Sequence, residues 1–216
     1  MKKIIIVDDH PLMRKGLALS LNGETDLKVV AQAADAEEAL DMLEDQEFDV
    51  AIVDISLPGM SGLELIKHMQ AVYPEIRSLV VSRHDEALYA ERAIRAGARG
   101  YVMKLEAADE IVKAVRRVLA GGIYVSDEIN ERLLMGLAAG RDELAQSPLE
   151  ILSDRELEVF ELSGRGLVTR EIAERLHLSP KTIESYRARI KEKLNLKTAA
   201  ELMQHAVQWV EGEGKG

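Results

Sequence analysis

The chain has 216 residues, of which 28 are Lys or Arg and 38 are Asp or Glu, giving a formal net charge of −10 with 47% hydrophobic residues. It contains no cysteine, which excludes disulfides, thiolate zinc sites and cysteine nucleophiles. No apolar run reaches the roughly 18 residues of a spanning helix, and the run after Met1-Lys2-Lys3 is broken by Asp8-Asp9 too early for a signal-peptide core, so a cytoplasmic protein without a membrane segment is expected, with room for two domains.

From the N-terminus to about residue 122, short apolar runs alternate with amphipathic stretches. This is the pattern of a parallel sheet covered by helices on both faces. Strands are predicted near residues 3 to 7, 27 to 33, 49 to 53, 78 to 82 and 100 to 103. They are rich in Val, Ile and Ala without alternation, as strands buried on both faces should be. Ser61-Gly62-Leu63-Glu64 is a capping box opening the third helix, Pro58-Gly59 marks the turn before it, and Gly97 is a stop for the fourth helix.

Polar groups sit just past three of these runs: Asp8 and Asp9 after Ile4-Ile5-Ile6-Val7, Asp54 after Val50-Ala51-Ile52-Val53, and Lys104 after Gly100-Tyr101-Val102-Met103. In a parallel sheet such positions gather at one edge, where open α/β folds bind ligands. Clustered carboxylates repel one another unless they share protons or hold a divalent cation, and oxygen ligands of this kind suit Mg²⁺. A carboxylate can also accept a phosphoryl group once the repulsion is neutralised. On that chemistry Asp8 and Asp9 hold Mg²⁺, Asp54 attacks phosphorus, Lys104 pairs with the phosphoryl oxygens, and Ser82 at the end of the fourth strand hydrogen-bonds the same group. The bland alternative is that acidic residues collect at wet strand ends by chance.

The strings Ile6-Val7-Asp8-Asp9-His10, Val53-Asp54-Ile55-Ser56-Leu57-Pro58-Gly59-Met60-Ser61-Gly62, Val81-Ser82 and Gly100-Tyr101-Val102-Met103-Lys104 resemble the receiver domain of two-component response regulators. The resemblance covers residues 1 to 122. It implies that Asp54 is the phosphoacceptor and that Asp9 and Asp54, with the main-chain carbonyl of Ser56, bind Mg²⁺ with Asp8 in support. Ser82 and Lys104 would read the phosphoryl group, and Tyr101 matches the aromatic switch position. By itself Tyr101 is equally a half-buried strand aromatic. Arg83 stands where receivers often carry a small residue, so a long cation there would crowd the phosphoryl group or clamp it. His10 and His84 read as a residue at the start of a helix and a loop residue, since neither has a second histidine at ligand spacing.

Gly121-Gly122 closes this unit. Residues 123 to 147 are acidic, with Gly136, Gly140 and Ser147 before Pro148, and read as a connector. Ile129, Leu133, Leu134 and Leu137 have helical spacing inside it, so part is expected to be a helix packed on a domain.

From residue 148 to 211 the pattern is helical, with capping boxes at Ser153-Asp154-Arg155-Glu156 and Thr198-Ala199-Ala200-Glu201 and Ser179-Pro180 at a helix start. Helices are expected at about 154 to 163, 169 to 177, 180 to 195 and 198 to 210, and residues 212 to 216 as a disordered tail. Within 180 to 198 six basic residues face two acidic ones, against the acidity of the whole chain. Ile172, Leu176, Leu178, Ile183, Ile190 and Leu194 fall inward. Lys181, Thr182, Glu184, Ser185, Arg187, Arg189 and Lys191 are left largely outward or flanking, a face suited to a major groove; charge alone would describe an ordinary solvated helix with a basic tail.

Residues Leu152-Ser153-Asp154-Arg155-Glu156 through Leu196 to Leu202 resemble the LuxR-type helix-turn-helix of the NarL/FixJ subfamily. That implies a helix reading promoter DNA, with Glu184 accepting from a base edge and the cations on phosphates. It also implies a homodimer in which the last helix takes part through Leu202, Met203, Ala206 and Val207. The expected architecture is therefore a doubly wound five-stranded parallel α/β sheet, flavodoxin-like, followed by a small all-α four-helix domain. The expected function is a transcription factor controlled by a sensor histidine kinase through Asp54, not an enzyme. Two alternatives stand beside it. One is a receiver that signals through protein contacts without phosphorylation. The other is a Mg²⁺-dependent aspartyl phosphatase, which generally carries a second Asp two residues after the nucleophile, where this chain has Ser56.

Overall fold

The computed structural model describes residues 1–106, 108–138 and 151–213. The chain divides into two compact units, Met1–Leu137 and Ala138–Gly216. Among the described residues no helix is long and apolar enough to cross a membrane.

In the first unit five parallel strands, β1 (Lys2–Val7), β2 (Leu27–Ala33), β3 (Val50–Val53), β4 (Arg77–Ser82) and β5 (Ala98–Met103), lie in the order β2-β1-β3-β4-β5. Helices α1 (Pro11–Asn22), α2 (Ala36–Asp45), α3 (Gly62–Val72), α4 (Glu86–Ala96) and α5 (Ala108–Leu119) make the crossovers. The expected α/β class and strand count are those found. Ile4, Ile5, Ile6, Val50, Ala51, Val53, Leu79 and Val80 are wholly buried, which is why these strands show no polar alternation. The strand order reverses between β1 and β3, and open sheets of this kind form their ligand crevice at that switch.

Local signals place the helix starts. Asp35 caps α2, Ser61 and Glu64 form a reciprocal capping box on α3, and Asp85 caps α4, whose last turn is closed by Gly97 in the left-handed region.

Part of the stretch after Gly122 is a helix packed on a domain, as expected. Tyr124 pairs with β5, accepting from the Tyr101 N–H at 2.8 Å and donating to the Arg99 carbonyl at 3.0 Å. Ser126 N–H donates to the Glu86 carboxylate at 2.8 Å, and helix α6 (Asp127–Ala138) buries Ile129. These bonds make the helical part of the predicted connector an extension of the first unit. Residues 139–147 lie outside the described residues.

The second unit holds α7 (Asp154–Gly164), α8 (Thr169–Arg175), α9 (Pro180–Lys193) and α10 (Ala199–Glu213). Helix α8 ends two residues before the predicted boundary because the turn to α9 requires His177 in the left-handed region, at φ 53°. Helix α10 continues through Glu213, into the stretch expected as tail; residues 214–216 lie outside the described residues. Leu157, Phe160, Ile172, Leu176, Ile183, Ile190, Leu202 and Ala206 are buried, and the Phe160 and Trp209 rings stand 5.6 Å apart.

Candidate functional site

Main-chain hydrogen bonds continue one step beyond the strand ends and hold each polar residue in place. Asp8 N–H donates to Ala33 O at 3.1 Å, Asp54 N–H to Val7 O at 2.9 Å, and Lys104 N–H to Ser82 O at 2.7 Å. The sheet thereby gathers residues far apart in sequence into one pocket. Lys104 Nζ lies 2.6 Å from Asp8 Oδ2 and 2.6 Å from Asp54 Oδ2, with all three side chains buried. Asp9 is close by and largely covered.

Three carboxylates against one ammonium leave two uncompensated negative charges, the charge of one dication. One ligand atom from each of Asp8, Asp9, His10 and Asp54 lies within 4.8 Å of the others. An oxygen-rich donor set of this charge fits Mg²⁺. Ser56 follows Asp54 by two residues in a loop closed by Gly62 N–H donating to Ile55 O at 2.8 Å. Burial pushes the Asp54 carboxyl above the ordinary carboxylate range; Lys104 pulls it back, Asp8 raises it again, and hydrogen bonds from Lys104 and Ser82 lower it. Lys104 is thus the cation that offsets the burial of this carboxyl.

The predicted switch residues meet through His84, for which the sequence indicates no role at the site. His84 lies in the loop after β4, as read, but is buried there. Its Nε2 shares a 2.7 Å hydrogen bond with Ser56 Oγ, its N–H donates to Ser82 Oγ at 3.4 Å, and its carbonyl accepts the Tyr101 hydroxyl at 2.8 Å. Its ring packs on Tyr89, centroids 4.5 Å apart. Tyr101 is fully buried, so its reading as a half-buried strand aromatic is set aside. Arg83 is exposed. The Arg14 guanidinium, also not anticipated, donates to the Asp8 carbonyl.

In the second unit Ser179 caps α9, accepting from the Thr182 N–H at 3.1 Å. Lys181, Glu184, Ser185 and Arg189 are exposed on α9, Thr182 and Lys191 half-exposed. Arg189 lies over the Tyr186 ring at 5.9 Å. Arg187 departs from the expected outward face. Its guanidinium is turned inward, donating to Thr169 Oγ1 at 2.6 Å and Ser163 Oγ at 3.2 Å, so it ties α9 to α8 and α7. Thr169 in turn donates to Glu184 at 2.7 Å.

A second correction concerns the last helix. Leu202 and Ala206, expected at a dimer contact, lie in the core of their own unit. Their four-residue spacing marks the stripe of α10 that packs inward. Met203 and Val207 remain half-exposed.

Residues 4–116 match the family described as response regulator receiver domain, and residues 150–206 match bacterial regulatory proteins, luxR family. Oxygen regulatory protein NreC of Staphylococcus carnosus is 36% identical over 210 residues, 95% of this chain and 97% of that protein. The solved structure of RcsB from Salmonella enterica serovar Typhimurium, bound to promoter rprA in the presence of phosphomimetic BeF3-, covers 95% of this chain and 98% of its own, at 27% identity and a TM-score of 0.62. A LuxR-family two-component response regulator from Aurantimonas sp. SI85-9A1 covers 64% of this chain and 99% of its own, at 33% identity and a TM-score of 0.58.

Proposed function

The chain belongs to the response regulators that join a receiver domain to a LuxR-type DNA-binding domain, and from that premise we propose that phosphorylation of Asp54 by a partner histidine kinase controls its dimerisation and its binding to promoter DNA. The observation that carries this reading is Lys104 Nζ, 2.6 Å from both Asp8 and Asp54, at the switch point of the sheet. An Asp54 carboxylate oxygen attacks the phosphorus of a phosphohistidine, the P–N bond breaks, and an acyl phosphate forms on Asp54. Asp8, Asp9, Asp54 and the Ser56 carbonyl would hold Mg²⁺, which would supply charge neutralisation for that transfer. Lys104 and the Ser82 hydroxyl then turn to the phosphoryl oxygens. The bonds from Ser82 to His84 and from His84 to Tyr101 carry that movement to the end of β5. Asp54 acts as an acceptor rather than a turning-over catalyst.

On the second unit, Lys181, Arg189 and Lys191 grip phosphates while Thr182, Glu184 and Ser185 face base edges. Arg187 holds this surface in shape from behind. The promoter-bound RcsB structure supports a DNA role for the equivalent domain. Met203 and Val207 are the part of the expected dimer contact that α10 leaves accessible. The same reading puts its work in the cytoplasm, beside the promoter DNA it is proposed to bind.

The test is DNA binding with and without an acyl-phosphate donor, across salt concentrations. Asp54→Asn is expected to abolish acyl-phosphate labelling and remove the donor's effect on binding. Labelling of that variant at the wild-type level overturns the assignment.

A further inference from the structure

The stretch of α9 from Pro180 to Arg187 carries a single anion, Glu184, and that anion is tied down. Its side chain is 61% exposed, yet Oε1 accepts a 2.7 Å hydrogen bond from the hydroxyl of Thr169, the residue that opens α8. The Arg187 guanidinium donates to Thr169 Oγ1 at 2.6 Å and stands 3.5 Å from the same Glu184 oxygen. Through its other amino group Arg187 donates to Ser163 Oγ at 3.2 Å, and the wholly buried Ser163 donates in turn to the Val159 carbonyl at 2.7 Å. A chain of bonds thus runs from the inside of α7 to a carboxylate in solvent. Among the described residues every bond to that carboxylate falls on Oε1, which leaves Oε2 open.

A glutamate that meets DNA must order a flexible side chain and bear the repulsion of the phosphates. A tether formed in advance removes the first cost, and the guanidinium beside Oε1 offsets the second. An ionised carboxylate can only accept hydrogen bonds. In the major groove the donors are the amino groups of cytosine and adenine, whereas guanine and thymine show acceptor oxygens. A fixed Oε2 therefore pairs with an amino group and is repelled by those oxygens. We propose that Thr169 and Arg187 position Glu184 so that its open oxygen selects a base with a major-groove amino group at one position of the DNA site. The proposal rests on the reading of α9 as the helix that enters the groove. It adds Thr169, which lies outside that helix, as a positioning residue for specificity.

The probe is a pool of duplexes randomised over a central segment, bound by the full chain with an acyl-phosphate donor present and sequenced before and after selection at one salt concentration. Wild-type protein is expected to favour cytosine or adenine about fivefold or more at one position, and the enriched base shows which amino group is read. Glu184→Ala should flatten that position. Thr169→Val, which keeps the shape and removes the hydroxyl, should bring the preference there below about twofold and leave other positions unchanged. Thr169→Ser, which keeps the hydroxyl, should retain the wild-type preference. A Thr169→Val protein that loses affinity or salt slope equally for all sequences marks a structural or phosphate-gripping residue and overturns the proposal. So does a preference kept in Thr169→Val but lost in Glu184→Ala, and the reading of Glu184 at a base edge then stands. Unchanged preferences in Glu184→Ala, or no sequence enriched by the wild type, overturn that reading itself and this proposal with it.

Discussion

A β-carbon on Gly62 would stand 1.9 Å from the main-chain carbonyl oxygen of Asp54. The first turn of α3 therefore packs directly on the backbone of Asp54, the proposed phosphoacceptor, and only a residue without a side chain permits it. Gly62→Ala must push the turn or the Asp54 loop aside. The expected loss is about 1–3 kcal/mol, the usual cost of overpacking, read from the urea unfolding transition of the receiver. Mg²⁺ affinity should fall with it, because the displaced loop carries two of the proposed ligands, Asp54 and the Ser56 carbonyl.

Asp54 itself should weaken the ion-free fold at neutral pH. Burial raises its carboxyl pKa above the ordinary carboxylate range, with Asp8 adding to the shift and Lys104 opposing it. A raised folded-state pKa means that the contribution to stability is complete below the unfolded value and is lost as pH rises through the folded one. Asp54→Asn is thus expected to raise the Tm of ion-free protein at neutral pH. The gain should shrink as the pH is lowered toward the unfolded value, and also when Mg²⁺ stabilises the wild type. Scanning calorimetry over that pH range, with and without Mg²⁺, checks both trends.

Tyr101→Phe removes the donor to the His84 carbonyl and leaves that oxygen buried without it. The cost should be about 1–3 kcal/mol, measurable by urea denaturation of the unphosphorylated chain. Hydrogen exchange should quicken in the segment from Ser82 to Asp85, the stretch that the Tyr101 hydroxyl ties to the end of β5.

Arg187 and Arg189 are separated by two positions on α9 and should behave oppositely. Arg187→Ala removes donors to Thr169 and Ser163, and it should lower the melting temperature of the helical unit. Arg189→Ala and Lys181→Ala, on the exposed face, should leave stability within about 0.5 kcal/mol. Each should weaken DNA binding across sequences and reduce the salt slope by about one. Thermal melts beside fluorescence anisotropy at several salt concentrations separate the two roles.

The acidic pocket was largely legible before any coordinates. Asp8, Asp9, Asp54 and Lys104 each follow an apolar run, and parallel strands bring such positions to one edge whatever the lengths of the intervening helices. Capping boxes and the Pro180 start were equally local, and those helix starts lie where the sequence placed them. His84 carried no such mark. A histidine two residues past a strand is ordinary, and its role comes from three partners supplied by the loop after β3, by β4 and by β5.

The helical unit divides the same way. Periodicity found the inward stripe of α9, including Ile183 and Ile190. It could not say that a long cation such as Arg187 would fold back onto neighbouring hydroxyls, because a flexible side chain reaches either solvent or protein from the same backbone position. Nor could it tell the α10 stripe that meets α7 from one that meets another subunit, since burial within a chain and burial between chains select the same apolar residues. Sequence alone thus determined the elements, their order and the chemistry gathered at the strand ends, because these depend on period and local capping. The tertiary structure decided which side chains occupy each other's hydrogen bonds, which depends on distances between segments that no local pattern encodes.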